Sequence, residues 1–497
     1  MTVEPDFGSF EQAYQEGRPQ VISLRLVDDL ETPITAYLKL GRSEPYAFLY
    51  ESVEGGAWRG RYSIITLEPD LVWRCRGAES EIAEGRLRVA QGDFTPCHGS
   101  PLESLRALID RSAVDFPDDL PPMAAGLFGV LGYDMVRLAE PLGPANPDPL
   151  DLPDAIMVRP SVVAVFDSVG QEITLATPVR PSDASAKEAW DGAHARLERV
   201  REALRRPLPA AALPQPAPQP GFTPAFTAEA YGELVERAKA YIAAGDIFQV
   251  VPSQRFEAPF SGDPFAFYRS LRRTNPSPFL FYLNFPEFQL AGSSPEILVR
   301  LRGGEITVRP IAGTRPRGRT PAEDAANERD LLADPKETAE HLMLLDLGRN
   351  DVARAARPAS VKVTESFTVE RYSHVMHIVS NVTGQAPDDV DPVDVLLAAL
   401  PAGTVSGAPK VRAMEIIDEL EPMKRGVAYA GAAGYISAKG EIDTCIVLRA
   451  ALFKDGRIYS QAGGGVVADS DPRAEYEETL HKSGAARRAA QEAWRFG

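Results

Sequence analysis

Two distant segments carry the same arrangement of acids: DPKETAEHLMLLDLGRND, residues 334–351, and DPRAEYEETLHK, residues 471–482. In each segment two glutamates are spaced i, i+3, which stacks their carboxylates on one face of a helix. The four acids are Glu337, Glu340, Glu475 and Glu478. If the two helices face each other, the carboxylates repel and need a cation, and hard oxygen ligands of this kind suit Mg²⁺. The alternative is a pair of solvated acidic faces, which are common in a chain with 70 acidic residues.

The composition is that of a globular protein with room for two or three domains, because the chain has 497 residues and 44% hydrophobic content. Its net charge of -17 argues against a nucleic-acid partner, since a polyanion requires a clustered cationic surface. Neither a signal peptide nor a membrane span is expected, because the N-terminus is acidic and no apolar stretch is long enough. Three cysteines without a CxxC pair indicate a reduced, cytoplasmic protein.

Proline and alanine replace any periodic pattern in RPLPAAALPQPAPQPGFT, and we interpret these residues, 206–223, as a linker. The linker divides the chain into an N-terminal region, residues 1–205, and a C-terminal region, residues 224–497. Both regions contain strand-like segments, some joined by turn formers such as the Asp-Gly of CIVLRAALFKDGRIYSQAG, with helical segments between them. Antiparallel clusters of strands with interspersed helices predict an α+β fold rather than a doubly wound sheet.

Glycine-containing loops in the second half offer places where the backbone can approach a ligand. PIAGTRPRG, residues 310–318, follows a strand and contains Gly313, Thr314 and two arginines that match carboxylates. Residues 402–409 open a helix whose free N–H groups could hold an anion, although their spacing is not that of a Walker A loop. The glycine run 463–465 could form an anion nest beside the second pair of acids. Each loop taken alone is also compatible with an ordinary turn.

Eight motifs follow one another in a fixed order along the second half of the chain. They are SSPE, PIAGTRPRG, DPKETAEHLMLLDLGRNDVAR, YSHVMHIVSNVTG, LPAGTVSGAPK, GYIS, DTCIVLR and QAGGGVVADSDPRAEYEETLHK. In this order they closely resemble the chorismate-utilising enzymes, specifically anthranilate synthase component I. The resemblance is strongest from Thr227 onward, and YESVEGGAWRGRYSII and NPSPFLFYL extend it over nearly the whole chain. It implies antiparallel sheets in a sandwich flanked by helices, with tryptophan-binding elements in residues 1–205 and the chorismate-binding catalytic domain in residues 224–497.

The resemblance implies that the protein converts chorismate and ammonia to anthranilate and pyruvate with Mg²⁺ as cofactor. Glu340 and Glu478 would be the closest metal ligands, with Glu337 and Glu475 holding waters around the ion. Further residues would bind the two carboxylates of chorismate, and Arg449 has the strongest physical reason because guanidinium groups match carboxylates. The substrate-binding set comprises Gly313, Thr314, Tyr435, Arg449, Gly463, Gly465 and Lys482.

The same resemblance assigns proton transfers to specific side chains. Glu296 of SSPE occupies the family position of the general acid, which is needed because hydroxide is a poor leaving group without a proton. Burial and the neighbouring carboxylates would keep Glu296 protonated. His377 matches the family histidine near the removal of the ring proton, and histidine transfers protons near neutral pH. Thr404 of AGTVSG would complete the pocket beside the ring.

Two positions separate this chain from relatives that use other nucleophiles. Isochorismate and salicylate synthases use a lysine that activates water where this chain has Gln249, and glutamine cannot act as that base. Aminodeoxychorismate synthases typically have a nucleophilic lysine where this chain has Ala312. Both replacements point to ammonia as the species that adds to the ring. Two alternatives stay open, namely an aminodeoxychorismate synthase component and a non-catalytic tryptophan-sensing relative that kept the fold.

Ammonia must come from elsewhere, because none of the three cysteines has the surroundings of a glutaminase nucleophile. The resemblance implies a separate glutamine amidotransferase subunit that delivers ammonia to this chain. It also implies feedback inhibition by tryptophan, bound in a pocket away from the active site. The residues assigned to that pocket are Glu51, Ser52, Asn275, Pro276 and Ser277.

Overall fold

A computed structural model describes residues 3–52, 60–208, 220–372 and 375–496. The α-helices within these ranges are α1 (Phe7–Gln15), α2 (Pro33–Leu40), α3 (Arg86–Gln91), α4 (Pro101–Ser112), α5 (Ala186–Arg205), α6 (Ala228–Ala243), α7 (Pro264–Thr274), α8 (Pro321–Ala333), α9 (Pro335–Ala353), α10 (Pro392–Ala399), α11 (Lys410–Leu420) and α12 (Pro472–Glu492). None of these helices is both long enough and apolar enough to cross a membrane.

The strands within the same ranges are β1 (Val3–Glu4), β2 (Gln20–Val27), β3 (Phe48–Glu51), β4 (Tyr62–Arg76), β5 (Glu79–Glu84), β6 (Thr95–Pro96), β7 (Gly126–Leu131), β8 (Ala155–Asp167), β9 (Glu172–Val179), β10 (Thr223–Pro224), β11 (Gln249–Val250), β12 (Ser253–Pro259), β13 (Phe279–Asn284), β14 (Gln289–Ser294), β15 (Ile297–Arg302), β16 (Glu305–Val308), β17 (Ile311–Pro316), β18 (Lys362–Arg371), β19 (Val375–Gln385), β20 (Gly407–Ala408), β21 (Ala432–Ser437), β22 (Ile442–Ile446), β23 (Ala450–Lys454) and β24 (Arg457–Gly463).

Apart from the short β11–β20 pair, the described strands belong to one extended sheet. Its neighbouring strands are antiparallel, and strands from the two sides of the predicted linker pair directly, β3 with β13 and β7 with β21. The prediction of an antiparallel α+β fold is therefore confirmed. The sheet crosses the predicted boundary between residues 1–205 and 224–497. Most of the predicted linker, residues 209–219, lies outside the described residues.

Two parts of the sheet, called its two arms, face each other and enclose a core made of strand side chains. One arm contains β3, β13 and β14, and the other contains β7, β8 and β21. The Tyr50 hydroxyl of β3 reaches across to the carbonyl oxygen of Gly434 in β21 at 3.2 Å. Large buried rings, including those of Phe48, Phe128 and Phe281, fill the space between the arms. Helices α1, α2, α5, α7 and α12 pack on the outside of one part of the sheet. Helices α4, α9, α10 and α11 pack on another part.

Strand β8 shows how the sequence sets these layers. Its sequence AIMVRPSVVAVFD is apolar almost throughout, as a strand buried on both faces requires. Alternate side chains of a strand point to opposite faces. Ile156 and Val158 accordingly enter the core between the two arms, and Met157 packs against helices on the outside. A register shift against β4 next to Pro160 reverses this alternation, so that Val163 enters the core and Ala164 packs on the outside.

The two helices that carry the predicted acids begin in the same way. The carboxylate of Asp334 caps α9 by accepting from the N–H groups of Lys336 and Glu337, and that of Asp471 caps α12 by accepting from the N–H group of Ala474. In both helices a proline follows the cap, at a position where its missing N–H group is no loss. The Asp-Pro start places each glutamate pair in the first two turns of its helix, with the pair of α12 one residue further from its cap than the pair of α9. The predicted helical stacking of these pairs is confirmed.

Arg425 and Glu421 form a buried ion pair where separate segments of the chain meet. Arg425 is 2% exposed and Glu421 is 5% exposed. The guanidinium donates to the carbonyl oxygens of Val405 and Val251, each at 2.7 Å. The Glu421 carboxylate accepts from the N–H and hydroxyl groups of Ser253, at 2.8 and 2.9 Å. The pair thereby fixes the loop before α11 against the chain that joins β11 to β12.

Replacing Arg425 tests how much the ion pair contributes to stability. Arg425→Met should lower the free energy of unfolding by about 3–5 kcal/mol, because the Glu421 carboxylate is then buried without a cation. The midpoint of urea denaturation measures the change. The double variant Arg425→Met/Glu421→Gln also removes the unpaired negative charge of Glu421, and it should recover part of the lost free energy of unfolding. A single variant as stable as the parent would show that the pair does not hold these segments together.

Candidate active site

A cavity of about 650 Å³ lies among α9, α12 and the ends of several strands. It brings together the predicted proton-transfer residues Glu296 and His377 with Thr404 and Gln249, all four predicted metal ligands and six of the seven predicted substrate-binding residues. These residues are Gln249, Glu296, Gly313, Thr314, Glu337, Glu340, His377, Thr404, Arg449, Gly463, Gly465, Glu475, Glu478 and Lys482. Both acid pairs therefore face one shared space, and the alternative of two outward acidic faces does not apply.

Two of the four acids form ion pairs with cationic side chains. Oε1 of Glu478 lies 2.7 Å from Nζ of Lys482, one helical turn further along α12. Glu337 accepts from Nη1 of Arg315 at 3.0 Å. These cations offset part of the repulsion among the carboxylates. Glu477 lies on another side of α12 and does not line the cavity, as its place in the helix predicts.

The other two acids have fewer partners. Glu340 accepts from Nε2 of Gln249 at 3.3 Å. Oε1 of Glu475 accepts from the Ser470 hydroxyl at 2.7 Å, while Oε2 is buried and has no partner among the described residues. Burial raises the pKa of both Glu340 and Glu475, and the negative charge of Glu478 adds to the shift. Desolvated carboxylates with unused oxygens favour a cation beside them.

The arrangement of the acids fits a divalent cation that also takes ligands from elsewhere. Glycine keeps the space open, because a Cβ atom on Gly464 would lie 2.8 Å from Oε2 of Glu475. Among the described residues, no three acid, imidazole or thiol side chains are grouped closely enough to hold an ion by themselves. Mg²⁺ commonly binds through one or two carboxylates and keeps several waters or substrate oxygens. The donor set is of that kind.

Glu296, in the turn between β14 and β15, is a buried acid that stays protonated at neutral pH. Burial raises its pKa to about 8, against the opposing hydrogen bond from Thr404. The Thr404 hydroxyl lies 3.2 Å from both carboxyl oxygens. Desolvation is the main cause, and the neighbouring carboxylates invoked from the sequence are not among the causes. A protonated carboxyl group in a cavity can donate its proton to a leaving group.

His377 of β19 presents an unprotonated ring nitrogen. Its Nδ1 lies 2.8 Å from the carbonyl oxygen of Gly313, which can only accept, so Nδ1 carries the hydrogen and Nε2 keeps its lone pair. The Thr314 hydroxyl lies 3.1 Å from the same Nδ1. Burial lowers the pKa of His377 to about 4, which keeps the ring neutral at physiological pH. A neutral imidazole with a free nitrogen can accept a proton.

Arg449 supplies a cation without a carboxylate partner among the described residues. Its guanidinium makes one hydrogen bond within them, to Oδ1 of Asn275 at 3.4 Å. Burial lowers its pKa. Its backbone has a φ of 47°, in the left-handed region that non-glycine residues seldom adopt and that is concentrated at functional sites. A half-buried guanidinium of this kind is suited to an anionic ligand.

Comparison with known proteins agrees with this geometry. Residues 62–488 match the family model described as chorismate binding enzyme. Anthranilate synthase component 1 of Cereibacter sphaeroides is 57% identical over 495 residues, which cover 99% of this chain and 98% of the relative. The protein of the same name from Pseudomonas putida is 48% identical over 93% of each chain. This chain belongs to the anthranilate synthase component 1 family of chorismate-binding enzymes.

Solved structures agree with the family assignment. Anthranilate synthase component I from Streptococcus pneumoniae TIGR4 matches with a TM-score of 0.76 and 37% identity, over 93% of this chain and 98% of that chain. The menaquinone-specific isochorismate synthase from Escherichia coli matches with a TM-score of 0.70 over 97% of this chain and 99% of that chain. At 19% identity this second match shows the fold alone.

The structure places one predicted substrate-binding residue, Tyr435, outside the first cavity. Tyr435 lies in a second cavity, where its hydroxyl accepts from Arg302 at 3.4 Å. It stands within β21, opposite Phe128 of β7. Tyr429, six residues earlier and before the strand begins, lines the first cavity instead. The motif AYAGAAGYIS offers two tyrosines, and the sequence does not show which of them the strand carries away from the cavity.

Gln461 is a cavity residue that the sequence analysis missed. It lies in β24, two residues before Gly463, and lines the first cavity. Because alternate residues of a strand share a face, a ligand contact at Gly463 implies that Gln461 faces the same way. This spacing is the signal that could have identified it.

The five residues predicted to bind tryptophan do not form one pocket. Glu51 and Ser52 line the second cavity, whereas Asn275, Pro276 and Ser277 line a third cavity that borders the first. The Glu51 carboxylate is engaged by Nε of Arg272 at 2.9 Å. The NPSPFLF segment reaches the second cavity further along, through the run Phe279–Phe281, which begins two residues after Ser277. The assignment of these five residues to a tryptophan site stays a prediction.

The protonation of Glu296 can be measured directly. Isotope-edited infrared spectroscopy should show a protonated carboxyl group at neutral pH that ionises as the pH rises through about 8, because burial raises this pKa. The signal should be missing from Glu296→Gln. The matched variant Glu477→Gln, which changes an acid outside the cavity, should keep it. A spectrum of Glu296 that is fully ionised at pH 6 would contradict the assignment.

Proposed function

We propose that this chain works as the chorismate-binding subunit of an anthranilate synthase, converting chorismate and ammonia to anthranilate, pyruvate and water. The observation that carries the proposal is buried Glu296, protonated at neutral pH, in the same cavity as the acid cluster and Arg449. Departure of a ring hydroxyl needs a proton donor. A substrate with two carboxylates needs cations. The cavity supplies both.

The first half of the reaction replaces the ring hydroxyl with an amino group. Arg449 and Lys482 bind the carboxylates of chorismate. Glu296 donates its proton to the departing hydroxyl, which leaves as water, while the lone pair of ammonia forms the new C–N bond. Thr404 hydrogen-bonds to Glu296 and fixes its orientation. The nitrogen then loses one proton to water.

The second half releases pyruvate and makes the ring aromatic. The ring proton moves to Nε2 of His377, and the C–O bond to the enolpyruvyl group breaks. The departing group gains a proton at its methylene carbon and leaves as pyruvate. This step requires the neutral imidazole and free Nε2 that the contact with Gly313 and the low pKa support.

Ammonia is the nucleophile in this proposal. Gln249 lines the cavity and has no ionisable group that could activate water. Ala312, also in the wall, offers no amine for a covalent adduct, which argues against an aminodeoxychorismate synthase. A non-catalytic role would leave a protonated Glu296 and an unprotonated His377 nitrogen in one cavity without a purpose.

We propose that a separate glutamine amidotransferase subunit supplies the ammonia. Burial raises the pKa of the Cys75 thiol to about 12 and that of the Cys445 thiol further, which makes both poor nucleophiles. Neither can therefore serve as the cysteine of a glutaminase. The described cysteines are all free, which is in keeping with the reducing cytosol as the site of action.

We propose Mg²⁺ as the cofactor, held by Glu340 and Glu478, with Glu337 and Glu475 binding its water ligands. When bound, the ion supplies positive charge that neutralises the acids and binds the ring carboxylate of the substrate. The support is the convergence of the acids and the unpartnered Oε2 of Glu475 within the described structure.

We propose the second cavity as a site for inhibition by tryptophan. Its walls combine the rings of Tyr50, Phe279 and Tyr435 with the charged groups of Arg300 and Asp443. An amino acid with an indole ring needs an apolar wall for the ring and opposite charges for its carboxylate and ammonium groups. This cavity offers both, and it shares no lining residue with the first one.

The activity can be tested on the isolated chain. With Mg²⁺ and ammonium at alkaline pH it should convert chorismate to anthranilate, identified by fluorescence and chromatography against the 4-amino isomer. Glu340→Gln and Glu478→Gln should each lower turnover about 10- to 100-fold or more while thermal unfolding stays cooperative. Glu477→Gln, on another side of α12, is the matched control and should keep full turnover.

Each outcome of this assay separates the candidate functions. Formation of the 4-amino isomer would identify an aminodeoxychorismate synthase. No consumption of chorismate by the parent protein would favour the non-catalytic alternative. Full turnover in Glu340→Gln would remove that residue from the metal site.

The proposed inhibition by tryptophan can be tested by substitution in the second cavity. Ser52→Ala should shift the tryptophan inhibition curve to higher concentration, because the hydroxyl lies in the wall of the second cavity. Its activity without tryptophan should match that of the parent. Ser63→Ala, on the neighbouring strand β4 and outside the cavity lining, is the control and should leave inhibition unchanged. An unaltered curve in Ser52→Ala would place the inhibitor elsewhere.

A further inference from the structure

The third cavity, of about 600 Å³, has a basic wall although the protein is acidic overall. The charged side chains described in this wall are four arginines and one glutamate, namely Arg273, Arg449, Arg488, Arg495 and Glu492. Four positive charges and one negative charge give the wall a net charge of +3, in a chain whose net charge is -17. Charges of one sign around a concave surface attract ligands of the opposite sign.

Two of the four arginines have no ion-pair partner among the described residues. Arg449 makes one hydrogen bond, to Asn275. The side chain of Arg488 is exposed and makes neither an ion pair nor a hydrogen bond within the described structure. Arg273 and Arg495 share the carboxylate of Glu492, at 3.8 and 3.4 Å. The unpaired guanidinium groups are therefore available to an anion that arrives from solution.

Helix α12 carries one face of side chains from the first cavity to the third. The residues of this face recur at intervals of three or four, the spacing that stacks side chains along a helix. In chain order they are Glu475, Glu478, His481, Ala485, Arg488 and Glu492. Arg495 continues the same spacing in the short turn Ala493–Phe496. The face begins with acids of the proposed metal site and reaches the third cavity at Arg488, which lines both cavities.

The first and third cavities adjoin along a common wall. The residues that line both of them are Asn275, Pro295, His377, Arg449 and Arg488. The four acids of the proposed metal site line the first cavity and not the third. A dianion that approaches past those acids is repelled, whereas a dianion that approaches through the third cavity meets arginines first. The charges of the two walls therefore favour the second route.

We propose that the third cavity is the entrance through which dianionic chorismate reaches the first cavity, an inference that rests on the function proposed above. Arg273, Arg488 and Arg495 raise the local concentration of the dianion at the entrance. Arg449 then binds one of its carboxylates at the common wall. Arg488 thus increases the rate at which the substrate arrives and is not a contact of the substrate once it is in place.

The test measures the association and dissociation rate constants of chorismate by stopped-flow protein fluorescence. It uses the isolated chain with Mg²⁺ and without ammonia, so that no amination follows binding. Arg488→Gln should lower the association rate constant about two- to fourfold at an ionic strength of about 20 mM, because one unit charge attracts a dianion over about 10 Å. Arg488→Glu, which reverses the charge, should lower it about five- to fifteenfold.

Salt dependence and dissociation complete the expected pattern for Arg488. The differences between the variants and the parent should largely disappear at an ionic strength of about 0.5 M, because salt screens exposed charges. The dissociation rate constant should stay within about twofold, since a charge at the rim of a site acts mainly on association. An increase in the dissociation rate constant alone would make Arg488 a contact of the bound substrate and overturn the proposal.

Replacement of the acid in this wall should have the opposite effect. Glu492→Gln raises the net charge of the third cavity by one, so it should increase the association rate constant about two- to fourfold at low ionic strength. Damage to the fold or to the active site would not accelerate binding. A faster association therefore separates the electrostatic effect from a structural one, and a slower association in Glu492→Gln would overturn the proposal.

Arg487 provides the matched control. It precedes Arg488 on α12 and lines neither the first nor the third cavity. Arg487→Gln makes the same change in net charge on the same helix, and it should lower the association rate constant less than about 1.5-fold, because solvent screens its charge from the cavity. An equal decrease in Arg487→Gln and Arg488→Gln would show that net charge alone sets the rate, which overturns the entrance.

The remaining outcomes are also decisive. An unchanged association rate constant in Arg488→Glu would overturn the proposal. A parent protein that binds chorismate with the expected pattern and yet makes no anthranilate would reject the proposed function and support the entrance. A parent protein that binds no chorismate would overturn both.

Discussion

The buried Arg425–Glu421 ion pair is the constraint on which the cavity depends. Its guanidinium binds the carbonyl oxygens next to Thr404 and close to Gln249, and lies 5.3 Å from the ring centre of Tyr429, which lines the cavity. A desolvated pair with all its hydrogen bonds made tolerates little displacement. Three parts of the wall are therefore held in one geometry by a pair that does not itself line the cavity.

The ionisable groups of the cavity differ in their burial and in their charged neighbours, and these differences suit them to different roles. Glu296 has no ion-pair partner among the described residues, and desolvation raises its pKa to about 8. Glu478 forms an ion pair with Lys482, and Glu337 forms one with Arg315, so cations offset part of the negative charge of these acids. One cavity thus contains a proton donor and a set of anionic ligands. The proposed chemistry needs both at the same time.

Local spacing decides how much of this could be predicted from the sequence. The i, i+3 glutamates and their Asp-Pro caps predict two helices with stacked carboxylates, because helix geometry depends on near neighbours. That the two helices converge on one site was predicted only from the resemblance to the family. The confusion of Tyr435 with Tyr429 shows the limit, since a motif does not reveal where a strand begins. The raised pKa of Glu296 is a product of tertiary burial, which spacing alone does not contain.

The central proposal is that acids from two distant helices hold one divalent ion together with a cyclic dianionic substrate. Mn²⁺ prefers similar oxygen ligands and can stand in for Mg²⁺ in diffraction experiments. Anomalous scattering from crystals containing Mn²⁺ and a non-reactive chorismate analogue gives the ion's position directly. We expect one peak in the first cavity, in bonding contact with the carboxylates of Glu340 and Glu478 and with the analogue. A bound analogue with the ion elsewhere, or with no ion at all, would contradict the proposal.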